Sequence, residues 1–431
     1  MMARVMDRLA LLALGAIACS GCSNPTANGA DAAIDQASAP LDATALVDAA
    51  GGGACGFGLA APADRVRRVI VSHPFDAVGM PASGYEVLAL AADGTLSSTG
   101  ARFTLGRATA GAIRFTPDGS VAFVAQDDGS IGVVRFDASG APVVVQAAFT
   151  GAVAGDADAG TANAWDASAL LVAPTGDRLF VLDANWRENG GGIYGARIAC
   201  DGSLTDEGLL APAKLPWAAD WVPSSGAPPR AVLAAKDVLA SPAGAEAHLV
   251  ALPPSGAPSL LGSATVFGDD QEIVSSVAVT ADGRYALIAD NDAFSSVPNR
   301  VAIAAILDGG LAKAQTIAPL VDPVAVATSP FGDAALVASG MGNALLALGY
   351  DPSASPPFTL RGPLAYRGAK PQLPSAMVGI ARGALAGRVL VAENLGVRQV
   401  AFRKGGAVDD LGLFTTGADS SAIVGAIGVQ P

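Results

Sequence analysis

The chain has 431 residues, of which 51% are hydrophobic and only 15% charged, with a formal net charge of −13. That acidic balance argues against nucleic acid as a partner, because phosphate backbones demand clustered Lys and Arg, and it gives no electrostatic hold on anionic lipid. Its plain consequence is solubility. After the first twenty residues no apolar run approaches the ~18 residues that cross a bilayer as a helix.

Residues 1–18 read as a signal peptide. Arg4 and Arg8 supply the basic start, the run from Leu9 to Ile17 is apolar but too short to span, and small residues then lead to a cysteine. The stretch Gly15-Ala16-Ile17-Ala18-Cys19 resembles the bacterial lipobox. That resemblance implies cleavage before Cys19 and acylation of its thiol. Ser20 lacks the Asp-like retention character, so the resemblance also implies an anchor in the outer membrane, facing the periplasm or the cell surface. Cys22 competes as acceptor, and Cys19 is preferred. Residues 19–61 are rich in Ala, Asp and Gly with few large apolar side chains, too few to offset the entropy of ordering. They are expected to form a flexible tether, leaving 62–431 as the folded domain.

Within that domain one pattern recurs: a β-rich run, a small polar turn, and a second β-rich run. Copies are IRFTPDGSVAFVAQDD (113–128), LLVAPTGDRLFVLDAN (170–185), VAVTADGRYALIADND (277–292), VAVATSPFGDAALVASG (324–340) and VGIARGALAGRVLVAENL (378–395), with a weaker one at 221–238. The turn glycines Gly119, Gly176, Gly226, Gly283, Gly332 and Gly387 recur about every 54 residues, a period that means propeller blades or solenoid turns. Further strands follow several copies, so each unit is expected to be a four-stranded meander. RRVIVSHPFD (67–76) reads as a second strand without a first, and AIVGAIGVQP (422–431) as that missing first strand. Joining them closes a ring and removes the open edges. The expectation is an all-β, seven-bladed propeller of antiparallel four-stranded blades. The repeats resemble the YVTN and lactonase-like propellers over about 62–431, in the pattern TPDGxxxxVA; the tetrapeptide YVTN itself is absent.

The residues that end the second strands are the candidate site. His73, Asp127, Asp128, Asp183, Asp290, Asp292 and Glu393 all fall there, and the repeat would set them around one mouth of a central channel. Such a set could take Ca2+ or another divalent cation through carboxylate oxygens. The loop 155–166 begins like a calcium loop but lacks the Gly and Glu of an EF-hand. Cys55 and Cys200 are the pair available for a disulfide in an oxidising compartment, and no cysteine has a C-x-x-C metal spacing. His73 and His248 are the only histidines, and neither G-x-S-x-G nor H-E-x-x-H occurs. Scarcity of histidine and the missing signatures favour a non-enzymatic binding or interaction scaffold. Its partner would be a protein or small molecule at the acidic face, with the membrane reached only through the lipid. The alternative is a lactonase-like hydrolase with an acidic, metal-assisted channel site.

Overall fold

The structure is a computed structural model. It describes residues 55–431 apart from 60, 62–63, 76–80, 107–108, 127–128, 151–166, 185–190, 224–227, 237, 240, 269–273, 292–297 and 417–423. The signal peptide, Cys19, Cys22 and the tether up to residue 54 lie outside the described residues, as do Asp127, Asp128 and Asp292.

Seven antiparallel sheets of four strands follow one another around a ring. Numbered in order, blade 1 begins with the second strand Arg67–Phe75, and its innermost strand is the C-terminal Ile427–Val429. Val69, Ile70 and Val71 pair with Val429, Gly428 and Ile427, so the chain's end closes its beginning. The other innermost strands are Thr109–Phe115, Ala167–Val172, Lys214–Trp221, Val274–Val279, Pro323–Thr328 and Ala376–Gly379, in blades 2 to 7. This is the seven-bladed propeller that the repeat implied.

The burial pattern explains why these runs become radial blades. The second strands VAFVAQ, RLFVLD and AALVAS are buried at every position, because each lies between two neighbouring blades and has no solvent face. The outermost strand Phe358–Pro363 is instead mostly exposed. The hydrophobic core accordingly divides into seven clusters, one per blade junction, and the axis is left as a channel. Truncating a fully buried member such as Phe123 or Phe180 costs about 3–5 kcal/mol.

Between the first and second strands the turn is locally programmed. In blade 2 the Thr116 hydroxyl donates to Asp118 Oδ1 at 2.6 Å, and the Gly119 amide donates back to the Thr116 carbonyl at 2.8 Å. Gly119 closes the turn at φ 74°, a left-handed conformation that costs side-chain-bearing residues more. Thr280, Asp282 and Gly283 repeat the arrangement in blade 5. Blades are also stapled to one another: Ser275 Oγ donates to the Pro323 carbonyl (2.7 Å), Ser375 Oγ to that of Val424 (2.8 Å), and Ser168 Oγ to that of Pro216.

The end of the segment read as tether is packed onto the ring. Cys55 is disulfide-bonded to Cys200 in blade 3. Phe57 is buried in the cluster between blades 2 and 3, and its carbonyl accepts from the Asp118 amide at 3.1 Å.

Candidate functional site

Two levels of the propeller carry polar side chains where a ligand could meet them. The first is the ring of second-strand ends on which the sequence reading centred. The second lies in the channel, near the opposite ends of the innermost strands.

At the second-strand ends the equivalent residues are Ser72, Gln126, Asp183, Lys236, Asp290, Ser339 and Glu393. All but Lys236 are buried. Asp290 is held by Arg300 of its own blade at 3.0 Å, and that guanidinium also stacks over Phe267. Glu393 is bound through both oxygens by Arg398, at 3.1 and 3.2 Å, and Arg398 binds Asp410 at 2.8 Å. Burial pushes the Glu393 carboxyl up, while the Arg398 hydrogen bonds oppose that shift. His73 sits one residue past the strand-end position and faces Glu86 at 3.3 Å; this hydrogen bond is the main reason the Glu86 carboxyl lies below its usual range. Asp183 is fully buried, and its field adds to the burial that raises the Tyr194 phenol to about 12.

Asp290, Glu393 and His73 are thus each answered inside their own blade. Among the described residues no three His, Cys, Asp or Glu side chains come within reach of one ion. Asp127, Asp128 and Asp292 fall outside the described residues. His248 is buried in the third strand of blade 4, where its ring nitrogens meet Ser263 Oγ (2.9 Å) and the Ala235 carbonyl (3.0 Å), a structural role.

The channel level was missed in the sequence. Of all residues on the seven innermost strands, only Arg114, Lys214 and Asp220 are charged. Arg114 pairs across its blade with Phe123, and the matching positions in blades 3 to 7 are Leu171, Ala219, Ala278, Ala327 and Val378. Asp220 stands one step nearer the turn, level with Phe115, Val172, Val279, Thr328 and Gly379. Both charged groups are partly buried on innermost strands, the strands that line a propeller's axis. Each feels the other's field although blade 3 separates their blades.

Their surroundings differ. Asp220 Oδ1 accepts the Trp221 amide at 2.9 Å and Oδ2 accepts the Val279 amide of blade 5 at 2.8 Å. Burial outweighs these bonds and the Arg114 charge, and the carboxyl is raised to about 6. Arg114 donates to the Ile113 carbonyl at 3.2 Å, and no carboxylate of the described residues forms an ion pair with it. The hydroxyls on neighbouring innermost strands are committed elsewhere: Ser168 and Ser275 staple blades, and Thr328 Oγ1 donates to the Val279 carbonyl. The signal was present in the aligned copies, where IRFTPDG alone carries Arg against Leu, Ala and Val.

No protein-family model and no curated protein sequence matches the chain. Solved structures do. A putative 6-phosphogluconolactonase from Bacteroides uniformis is similar with a TM-score of 0.59 at 13% identity, covering 84% of this chain and 99% of that one. The periplasmic gluconolactonase of Pseudomonas aeruginosa is similar with a TM-score of 0.52 at 17% identity, covering 72% and 84%. A functionally unknown protein from Desulfotomaculum acetoxidans gives 0.51 at 12% identity.

The chain shares a propeller fold with these proteins. At these identities the likeness concerns the fold. It nevertheless corrects the preference for a non-enzyme, because that preference treated absent motifs as evidence, whereas a gluconolactonase is built on this same architecture.

Proposed function

We propose that the protein is a lactone hydrolase whose active site is the central channel, with Asp220 as general base and Arg114 as the group that holds the lactone carbonyl. The reading is carried by the placement of Asp220 and Arg114 on innermost strands, the carboxyl raised to about 6 by burial and the guanidinium forming no ion pair with a carboxylate of the described residues. A base works best when its pKa lies near the working pH, and perturbed groups in a cleft mark functional sites. The fold likeness to a gluconolactonase supports the same reading.

In this mechanism ionised Asp220, held by the Trp221 and Val279 amides, takes a proton from a water molecule. The water oxygen attacks the lactone carbonyl carbon, and Arg114 donates to the oxyanion as charge develops. Collapse breaks the bond from that carbon to the ring oxygen, which receives the proton stored on Asp220. The product is a hydroxy acid, and the carboxylate is restored.

The setting proposed is outside the cytoplasm: a signal peptide over 1–18, lipidation at Cys19 and an outer-membrane anchor through the tether. The lipobox-like GAIAC run and the Cys55–Cys200 disulfide, a bond suited to an oxidising compartment, support it. The functional test is acid release from glucono-δ-lactone at constant pH 7.5. Asp220→Asn should lower kcat by roughly 10²–10⁴, and Arg114→Gln should lower kcat/KM by roughly 10²–10³. Wild-type protein that does not exceed the spontaneous rate, or Asp220→Asn at the wild-type rate, refutes the proposal.

A further inference from the structure

We infer that the channel accepts an unphosphorylated lactone and retains the product as a monocarboxylate on Arg114. The substrate half of this inference rests on the hydrolase reading; the binding half does not.

Arg114 has no ion-pair partner among the described residues. Its guanidinium has several donors, and the Ile113 carbonyl takes one. A partly buried guanidinium on an innermost strand, forming no ion pair with a carboxylate of the described residues, is a site for a planar anion that can meet its fork.

Charge then limits which anion. Along the innermost strands the only other cation is Lys214, at the far end of the strand that carries Asp220. The strand bulges between them, and their partners Lys236 and Val232 lie four residues apart, roughly 13 Å of strand. The arginines of neighbouring levels are committed: Arg300 to Asp290, Arg398 to Glu393 and Asp410, Arg178 to Glu207. A phosphate monoester brings roughly −1.5 to −2 charges, and Asp220 adds its own when ionised. With Asp220 ionised, a phosphate monoester leaves an uncompensated charge of roughly −1.5 to −2 beside one guanidinium, whereas a carboxylate leaves about −1 and brings the planar geometry to match.

Calorimetric titration of the full-length protein with sodium gluconate and, separately, 6-phosphogluconate at pH 7.5 tests the inference without any turnover. Gluconate should bind at least tenfold more tightly than its phosphorylated counterpart. Arg114→Gln should weaken gluconate at least tenfold, and Arg114→Lys should recover part of the loss. A thermal melt of each variant establishes that it is folded. Equal or tighter binding of 6-phosphogluconate overturns the inference, and so does gluconate binding unchanged in Arg114→Gln or absent from the wild type. Gluconate held by Arg114 in a protein that hydrolyses no lactone would sink the hydrolase reading and leave the carboxylate site standing.

Discussion

Replacing Asp220 by Asn should stabilise the protein at pH 8 and destabilise it at pH 4. The wild-type carboxyl lies at about 6 in the fold against an ordinary 3.8. Because the folded value is raised, the native state binds the proton more tightly, so the stability Asp220 contributes is greatest below the unfolded value and is lost as pH rises through 6. The interval of about two units corresponds to about 3 kcal/mol in full, most of which separates pH 8 from pH 4. Water in the channel screens part of it. Asn cannot ionise and escapes this term. It keeps one carbonyl oxygen for the Trp221 or Val279 amide and turns its own NH2 toward the other, leaving a donor unmet at about 1–2 kcal/mol. The net is a gain of about 1 kcal/mol at pH 8 and a loss of about 1–2 kcal/mol at pH 4. Urea unfolding of both proteins across this range measures the difference directly, provided the slopes agree. A difference that keeps one sign from pH 4 to 8 would refute the assignment of a raised carboxyl at this position.

Three further outcomes follow from the geometry. Arg398→Met strips the partner from Glu393 and Asp410 and leaves two buried carboxylates, so unfolding should ease by about 3–5 kcal/mol; a loss under 1 kcal/mol would contradict the buried triad. Truncation before Val424 removes the strand paired with Val69–Val71 and the Gln430 bonds to Arg68 and Gly119, so unfolding should weaken globally and not only at the terminus. An unchanged melting midpoint would contradict ring closure. Chelation with EDTA should leave lactone hydrolysis within twofold of the untreated rate, since Asp220 and Arg114 carry the chemistry. A collapse reversed by added calcium would overturn the metal-free mechanism.

The blades were legible because their cause is local. A turn glycine between two β-rich runs, in its fullest form Thr-x-Asp-Gly at 116–119 and 280–283, specifies a hairpin, and six such turns at a near-constant period can only stack around an axis or along one. The closing strand was legible for the complementary reason: RRVIVSHPFD lacked a partner that AIVGAIGVQP could supply. Asp183, Asp290 and Glu393 do end second strands, but their chemistry was not readable from position. Whether Glu393 can serve a ligand depends on Arg398, which reaches it from the adjacent strand, and no spacing distinguishes that arginine from an exposed one. Arg114 and Asp220 escaped notice because they lie far apart in sequence, on strands of non-adjacent blades. Only the folded ring brings each within the other's field.

The central claim, that Asp220 is the base of a lactone hydrolase, is tested most directly by the pH dependence of kcat/KM for wild-type protein, corrected for spontaneous hydrolysis. The base must be ionised to act, so the account predicts that kcat/KM falls tenfold per pH unit below a bend near 6 and levels off above it. The bend should vanish in Asp220→Asn together with the enzymatic rate. A wild-type profile flat between pH 5 and 8, or a bend near 6 that persists in Asp220→Asn, would contradict it.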